Sequence, residues 1–191
     1  MRPRRMSRRA RPLNFTVMPH NSEARYKYPM VRGGGAFLVC VGVGLVVGAI
    51  WPGSGPVNAK VLGLSAVLGI LAIPIARRLA PLGKPQPYQV VVLIGSVVLE
   101  FAMFRFVYGR LVAGADDQAR WLWALLFVGV HFLPMGFAFG KRIAILGATC
   151  ILAAVTGLVG GVPFFYAALI DGALKVGFGL SMCTTRGVHA A

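Results

Sequence analysis

Residues 36–59 read AFLVCVGVGLVVGAIWPGSGPVNA and contain no charged side chain. The apolar part of this stretch, about 35–51, approaches the length that crosses a bilayer core of about 30 Å at about 1.5 Å per helical residue. Five more apolar runs follow, at about 61–76, 88–109, 121–139, 142–160 and 162–183, each bounded by Pro, Gly or charge. They are continuously apolar where a barrel strand would alternate. A bilayer also demands a backbone that satisfies its own hydrogen bonds. The sequence therefore predicts an all-α integral membrane bundle of about six transmembrane helices.

Composition agrees. Of 191 residues, 57% are hydrophobic and 13% charged, and the mean hydropathy is +0.74. Soluble domains carry about 25% charged residues, and half that number cannot clothe a particle of this size in water. The expected organisation is a disordered basic tail over 1–33, a transmembrane domain over 34–184 and a short tail over 185–191. Gly33, Gly34 and Gly35 read as the end of the first tail. The small residues Gly44 and Gly48, Gly136 and Gly140, and Ala153, Gly157 and Gly161 recur at four-residue spacing. They read as notches where helices of one subunit approach closely. Pro163 suits a first helical turn, where its missing N–H costs nothing.

Positive charge sets the expected orientation. With the N-terminus inside, the cytoplasmic side collects the tail, Arg77, Arg78, Lys84, Lys141, Arg142 and Arg186, against Lys60, Arg110 and Arg120 outside. Every short loop agrees with an even helix number, so both termini are expected in the cytoplasm of a bacterial cell, with the chain in its cytoplasmic membrane. Ser7, Arg8 and Arg9 lie too far from the first apolar run for a twin-arginine signal. The polar start is also too long for a signal peptide cleaved after Val57, Asn58 and Ala59. Translation from Met18 or Met30 would leave the topology unchanged.

The formal charge of +15 would point to nucleic acid in a soluble protein. Here the tail has no aromatics among its arginines, and attraction to anionic lipids of about 1 kcal/mol per charge accounts for it. The expected partners are thus the lipid bilayer and, at the tail, anionic lipids, with a homo-oligomer or another membrane subunit as the protein partner and no nucleic acid. Cys40, Cys150 and Cys183 have no paired spacing and read as small packing residues. The chain lacks His-Glu-x-x-His, Gly-x-Gly-Asp, Gly-x-Ser-x-Gly and the phosphate-cradling Gly-x-x-x-x-Gly-Lys, so no enzyme, cofactor or metal is expected. Asp116 and Asp117 read as a solvated turn. Trp51, Tyr88, Tyr108, Trp121 and Trp123 read as interfacial anchors.

Five ionisable residues fall inside the spans: Glu100, Arg105, His131, Asp171 and Lys175. Counted from the span centres at about 1.5 Å per residue, all but Arg105 lie within about 5 Å of the midplane, and Arg105 about 10 Å toward the outer face. Charge at that depth costs at least about 2.5 kcal/mol and must face protein or a wet cavity. Helices three, four and six are therefore expected to meet around one polar layer. Asp171 and Lys175, one turn apart, suit an intrahelical pair. Glu100 and Arg105, five apart, face different ways, so Glu100 is expected to seek His131, Lys175 or water. Pro134 cannot donate to the carbonyl of Val130 and is expected to kink the helix beside His131.

The segments His131 to Gly140, HFLPMGFAFG, and Pro163 to Leu180, PFFYAALIDGALKVGFGL, resemble small bacterial polytopic membrane proteins of the kind grouped as domains of unknown function. The resemblance implies an integral membrane protein and no activity or functional residue. Two functions remain open. The polar layer is either a proton or small-solute pathway, with Glu100 and Asp171 exchanging protons, His131 relaying and Lys175 tuning, or the packing core of a non-transporting scaffold, sensor or accessory subunit.

Overall fold

A computed structural model describes residues 27–53, 55–79 and 82–185. The basic tail through residue 26 and the end from Arg186 lie outside the described residues. The described chain forms six helices: α1 (Val31–Ile50), α2 (Ala59–Leu79), α3 (Pro87–Leu111), α4 (Asp117–Phe139), α5 (Lys141–Gly160) and α6 (Phe164–Cys183). Each is long and apolar enough to cross a membrane, as the sequence predicts, and no strand occurs among the described residues.

The bounds differ from the apolar runs where polar groups make the helix ends. Asp116 caps α4, its side chain accepting from the Ala119 N–H at 2.7 Å, and Asp117 pairs with Arg120 at 3.1 Å. The two acids expected in a solvated turn thus start a helix. Gly140, at φ 94°, ends α4 and leads directly into α5. The largest departure is at α1, whose first turns contain Gly33, Gly34 and Gly35. A Cβ on Gly34 would stand 2.7 Å from the Phe139 ring, and one on Gly35 would stand 2.6 Å from the Gly179 carbonyl. The run is a contact surface rather than the end of a tail. In lipid, close backbone approach outweighs the poor helix propensity of glycine.

The helices pack in the order α2, α1, α6, α5, α4, α3, with α4 also touching α6. Three of the expected notches lie at these seams, whereas a Cβ on Gly161 would meet nothing within 4 Å. Gly44 faces Ser65 of α2, Gly136 faces Ala144 of α5, and Gly157 faces Leu122 of α4. Hydrogen bonds fix which helix ends share a side. Gln89 Nε2 donates to the Lys27 carbonyl (2.8 Å), Arg32 to the Thr185 carbonyl (3.2 Å), and Arg142 to the Ser181 carbonyl and the Thr185 hydroxyl (2.8 and 2.7 Å). At the opposite side the Tyr108 hydroxyl donates to the Arg120 carbonyl (3.1 Å) and the Asn58 N–H to the Gly48 carbonyl (2.9 Å).

The interior has three levels. Toward the N-terminal side, an apolar cluster includes Leu38, Phe132, Phe139, Leu146 and Met182. Toward the opposite side a second includes Leu45, Leu122, Leu125, Phe164 and Ala168. The buried polar side chains of α4 and α6 lie between the two along their helices.

The α1–α6 seam gives a direct test. A Cβ on Gly42 would meet the Gly172 carbonyl at 2.7 Å, whereas one on Gly63 of α2 would meet nothing within 4 Å. Gly42→Ala is expected to destabilise the fold by about 1–3 kcal/mol through overpacking. Gly63→Ala is expected to be neutral or to add up to about 1 kcal/mol through helix propensity. Thermal unfolding of the purified variants in one detergent checks the contrast.

Candidate functional site

The tightest polar contact is on α6. Lys175 Nζ donates to Asp171 Oδ2 one turn away, and the two side chains are only 2% and 1% exposed. The spacing directs both groups to one side of the helix, while Gly172 and Gly179 lie against α1. A Cβ on Gly42 of α1 would be 2.9 Å from the Lys175 Cβ, so the lysine stem fits because α1 has no side chain there. From the other neighbours come the Cys150 sulfur of α5, 4.0 Å from Lys175 Nζ, and the Phe132 ring of α4, whose centroid is 5.8 Å away. Such a ring face favours the ammonium. Asp171 Oδ1 has no hydrogen-bond donor of ordinary geometry.

A second pair lies between α3 and α4. His131 Nε2 stands 3.7 Å from Glu100 Oε2, longer than a hydrogen bond. The imidazole is 7% exposed and the carboxylate 26%. His131 Nδ1 faces the carbonyls of Phe127 and Val128 one turn back without making a hydrogen bond of ordinary geometry. The ring lies 4.3 Å from that of Phe132, which links it to Lys175. Pro134 is inside α4, three residues beyond the histidine.

Arg105, counted among the candidate site residues although expected about 10 Å toward the outer face, does not join this layer, and its inclusion in the site is corrected. Met103–Tyr108 is a π-helical segment of α3, and Arg105 is exposed with its guanidinium 5.6 Å from the Phe106 ring centroid. The five-residue offset from Glu100 already turns it away on an α-helix, and the wider π-turn does not bring it back. Phe104 and Tyr108 of the segment instead pack their rings on Phe127 of α4, at 5.7 and 6.2 Å.

Removing Arg105 changes the charge balance. Glu100 and Asp171 now share one fixed cation, Lys175, so with both carboxylates ionised and His131 neutral the layer carries one uncompensated negative charge. The expected meeting of three helices is also modified. α3 packs principally on α4, α4 touches α6, and α5 comes between the pairs through Cys150. Sequence reasoning missed Cys150 as a polar-layer residue, although it stands near the middle of its span as the others do. It also missed Gln89, which is fully buried, closes a capping box with Gln86 and ties α3 to the strand of chain before α1. Among the described residues no three His, Cys, Asp or Glu side chains gather closely enough to hold a metal ion.

Six apolar helices around a buried polar layer define a multi-pass helical membrane protein. The chain belongs to the DUF6609 family, a family of unknown function whose model matches residues 21–190. No curated protein matches the chain. No solved structure matches it either.

Breaking the α6 pair from one side has a defined consequence. Lys175→Met leaves the Asp171 carboxylate buried beside a thiol and aromatic rings, and is expected to cost about 3–5 kcal/mol. Lys175→Met combined with Asp171→Asn is expected to recover most of that loss. Unfolding of the single and double variants in mixed micelles measures the recovery, and strict additivity would dissociate the two residues.

Proposed function

We propose that this chain is a non-transporting membrane scaffold or accessory subunit whose polar layer holds the helices in one arrangement. The observation that carries this reading is the sealed Asp171–Lys175 pair. A transport group must alternate between partners and solvent, whereas these two side chains are shielded from solvent and engaged with each other. The α1 backbone closes one side of the pair at Gly42 and Gly172, and Cys150 and Phe132 lie against the lysine on the other. The segregation of Lys27, Arg32, Arg77, Arg78, Lys84, Lys141 and Arg142 supports placing the N-terminal side in the cytoplasm. The setting proposed is a bacterial cytoplasmic membrane.

A second reading, proton exchange, rests on a different observation. The half of the layer that has no fixed cation of its own is also the half that is partly open, at Glu100. In that reading Glu100 takes a proton at the α3–α4 surface and His131 passes it inward toward Asp171.

One experiment separates the two. Proteoliposomes containing wild type, Glu100→Gln or Asp171→Asn are placed under a pH gradient and proton flux is followed with an internal dye. The scaffold reading expects no flux above protein-free vesicles for any of the three, with a lowered unfolding temperature for Asp171→Asn. Gradient-driven flux in wild type that Glu100→Gln abolishes would overturn it in favour of exchange.

A further inference from the structure

At the N-terminal side of the bundle, the C-terminal part of α2 encloses a groove of about 320 Å³ with Leu82 and Gly83 of the α2–α3 connection and Pro29, which precedes α1. Its lining is Pro29, Pro74, Arg77, Arg78, Leu82 and Gly83. The lining contains two guanidinium groups and no acid. Among the described residues the surroundings supply none either: Glu100 and Asp171 are mid-bundle, and Asp116 and Asp117 are at the opposite side.

The other described arginines of this side have structural partners. Arg142 donates to Ser181 and Thr185, and Arg32 to Thr185. Arg77 and Arg78 make no hydrogen bond or ion pair among the described residues. The Arg77 stem is nonetheless placed, since its Cγ would be 3.6 Å from a Cβ on Gly33 of α1. Below Arg78 on the same face of α2, three and seven positions back, Ile75 and Leu71 are each 57% exposed, and Leu79 is more so. Unpartnered cations thus stand at the head of an apolar track that runs into the bilayer.

We propose that this groove is a binding site for an anionic phospholipid, its phosphate held by Arg77 and Arg78 and its acyl chains lying along Ile75 and Leu71. Arginine presents a planar fork that matches phosphate oxygens. The site is separate from diffuse attraction by the basic tail, because it has a fixed shape and couples charge recognition to chain burial. A soluble phosphate would use the arginines and leave the track to bulk lipid.

The test uses the full chain in detergent, with native mass spectrometry in about 0.3 M ammonium acetate, where exposed tail charges are largely screened. Phosphatidylglycerol and phosphatidylcholine of the same acyl chains are the probes. Wild type is expected to retain phosphatidylglycerol in preference. Each guanidinium is worth roughly fivefold in binding, so Arg77→Gln with Arg78→Gln is expected to weaken phosphatidylglycerol binding roughly 30-fold. Lys141→Gln, the removal of a cation of the same side, is expected to change it little. Should the double variant fail to fold, Arg78→Gln alone carries the roughly fivefold reading. Equal retention of both lipids by wild type, or unchanged preference in the arginine variants, overturns the site. Displacement of the lipid by millimolar inorganic phosphate identifies a soluble-anion site and overturns the lipid assignment.

Discussion

A lysine and an aspartate kept out of water in the middle of an oil-embedded bundle must neutralise each other, and the rest of the architecture is arranged so that they can. An isolated charge at that depth costs at least about 2.5–3.5 kcal/mol. The i, i+4 spacing on α6 supplies the partner without help from another helix. What other helices supply is enclosure. α1 comes close enough at Gly42 to bury the lysine stem, α5 contributes the Cys150 thiol and α4 the Phe132 ring. Apolar clusters above and below complete the isolation.

That enclosure gives a reason for the glycines at the helix seams. Lipid tails are as apolar as leucine, so helices in a bilayer gain little from hiding apolar surface and must gain from fit. Glycine allows the backbone of α1 to meet that of α6 at two levels, Gly35 with Gly179 and Gly42 with Gly172. The same device joins α4 to α5, where a Cβ on Gly147 would lie 2.8 Å from the Gly129 carbonyl. The seams lie where the buried charge needs the thinnest neighbours.

The helix number and the mid-span level of the ionisable residues were legible in the sequence, because hydropathy and a rise of about 1.5 Å per residue determine both. The Asp171–Lys175 pair followed from spacing alone. Arg105 was grouped with the site for its charge alone, although its five-residue offset from Glu100 and its level about 10 Å from the midplane already pointed away from the layer. Gly33, Gly34 and Gly35 were misread for a different reason. Propensity describes an isolated helix, and here a tertiary contact with Phe139 and Gly179 decides the matter. Cys150 was overlooked because its polarity is expressed only beside a buried ammonium.

The two halves of the polar layer are held with unequal firmness. Asp171 and Lys175 belong to α6, flanked by α1 and α5, and displacing them would open glycine seams on which the bundle depends. Glu100 belongs to α3, which packs principally on α4 and whose α-helical part buries only Gln89 and Ser96. Its contact with His131 is long, its carboxylate is partly open, and the π-turn just beyond interrupts regular helix geometry. A change in charge at Glu100 can therefore be accommodated by α3 without repacking the centre. A change at Asp171 cannot. The layer combines a buried ion pair within one helix with a carboxylate–imidazole pair at the α3–α4 contact that is partly open to the surroundings.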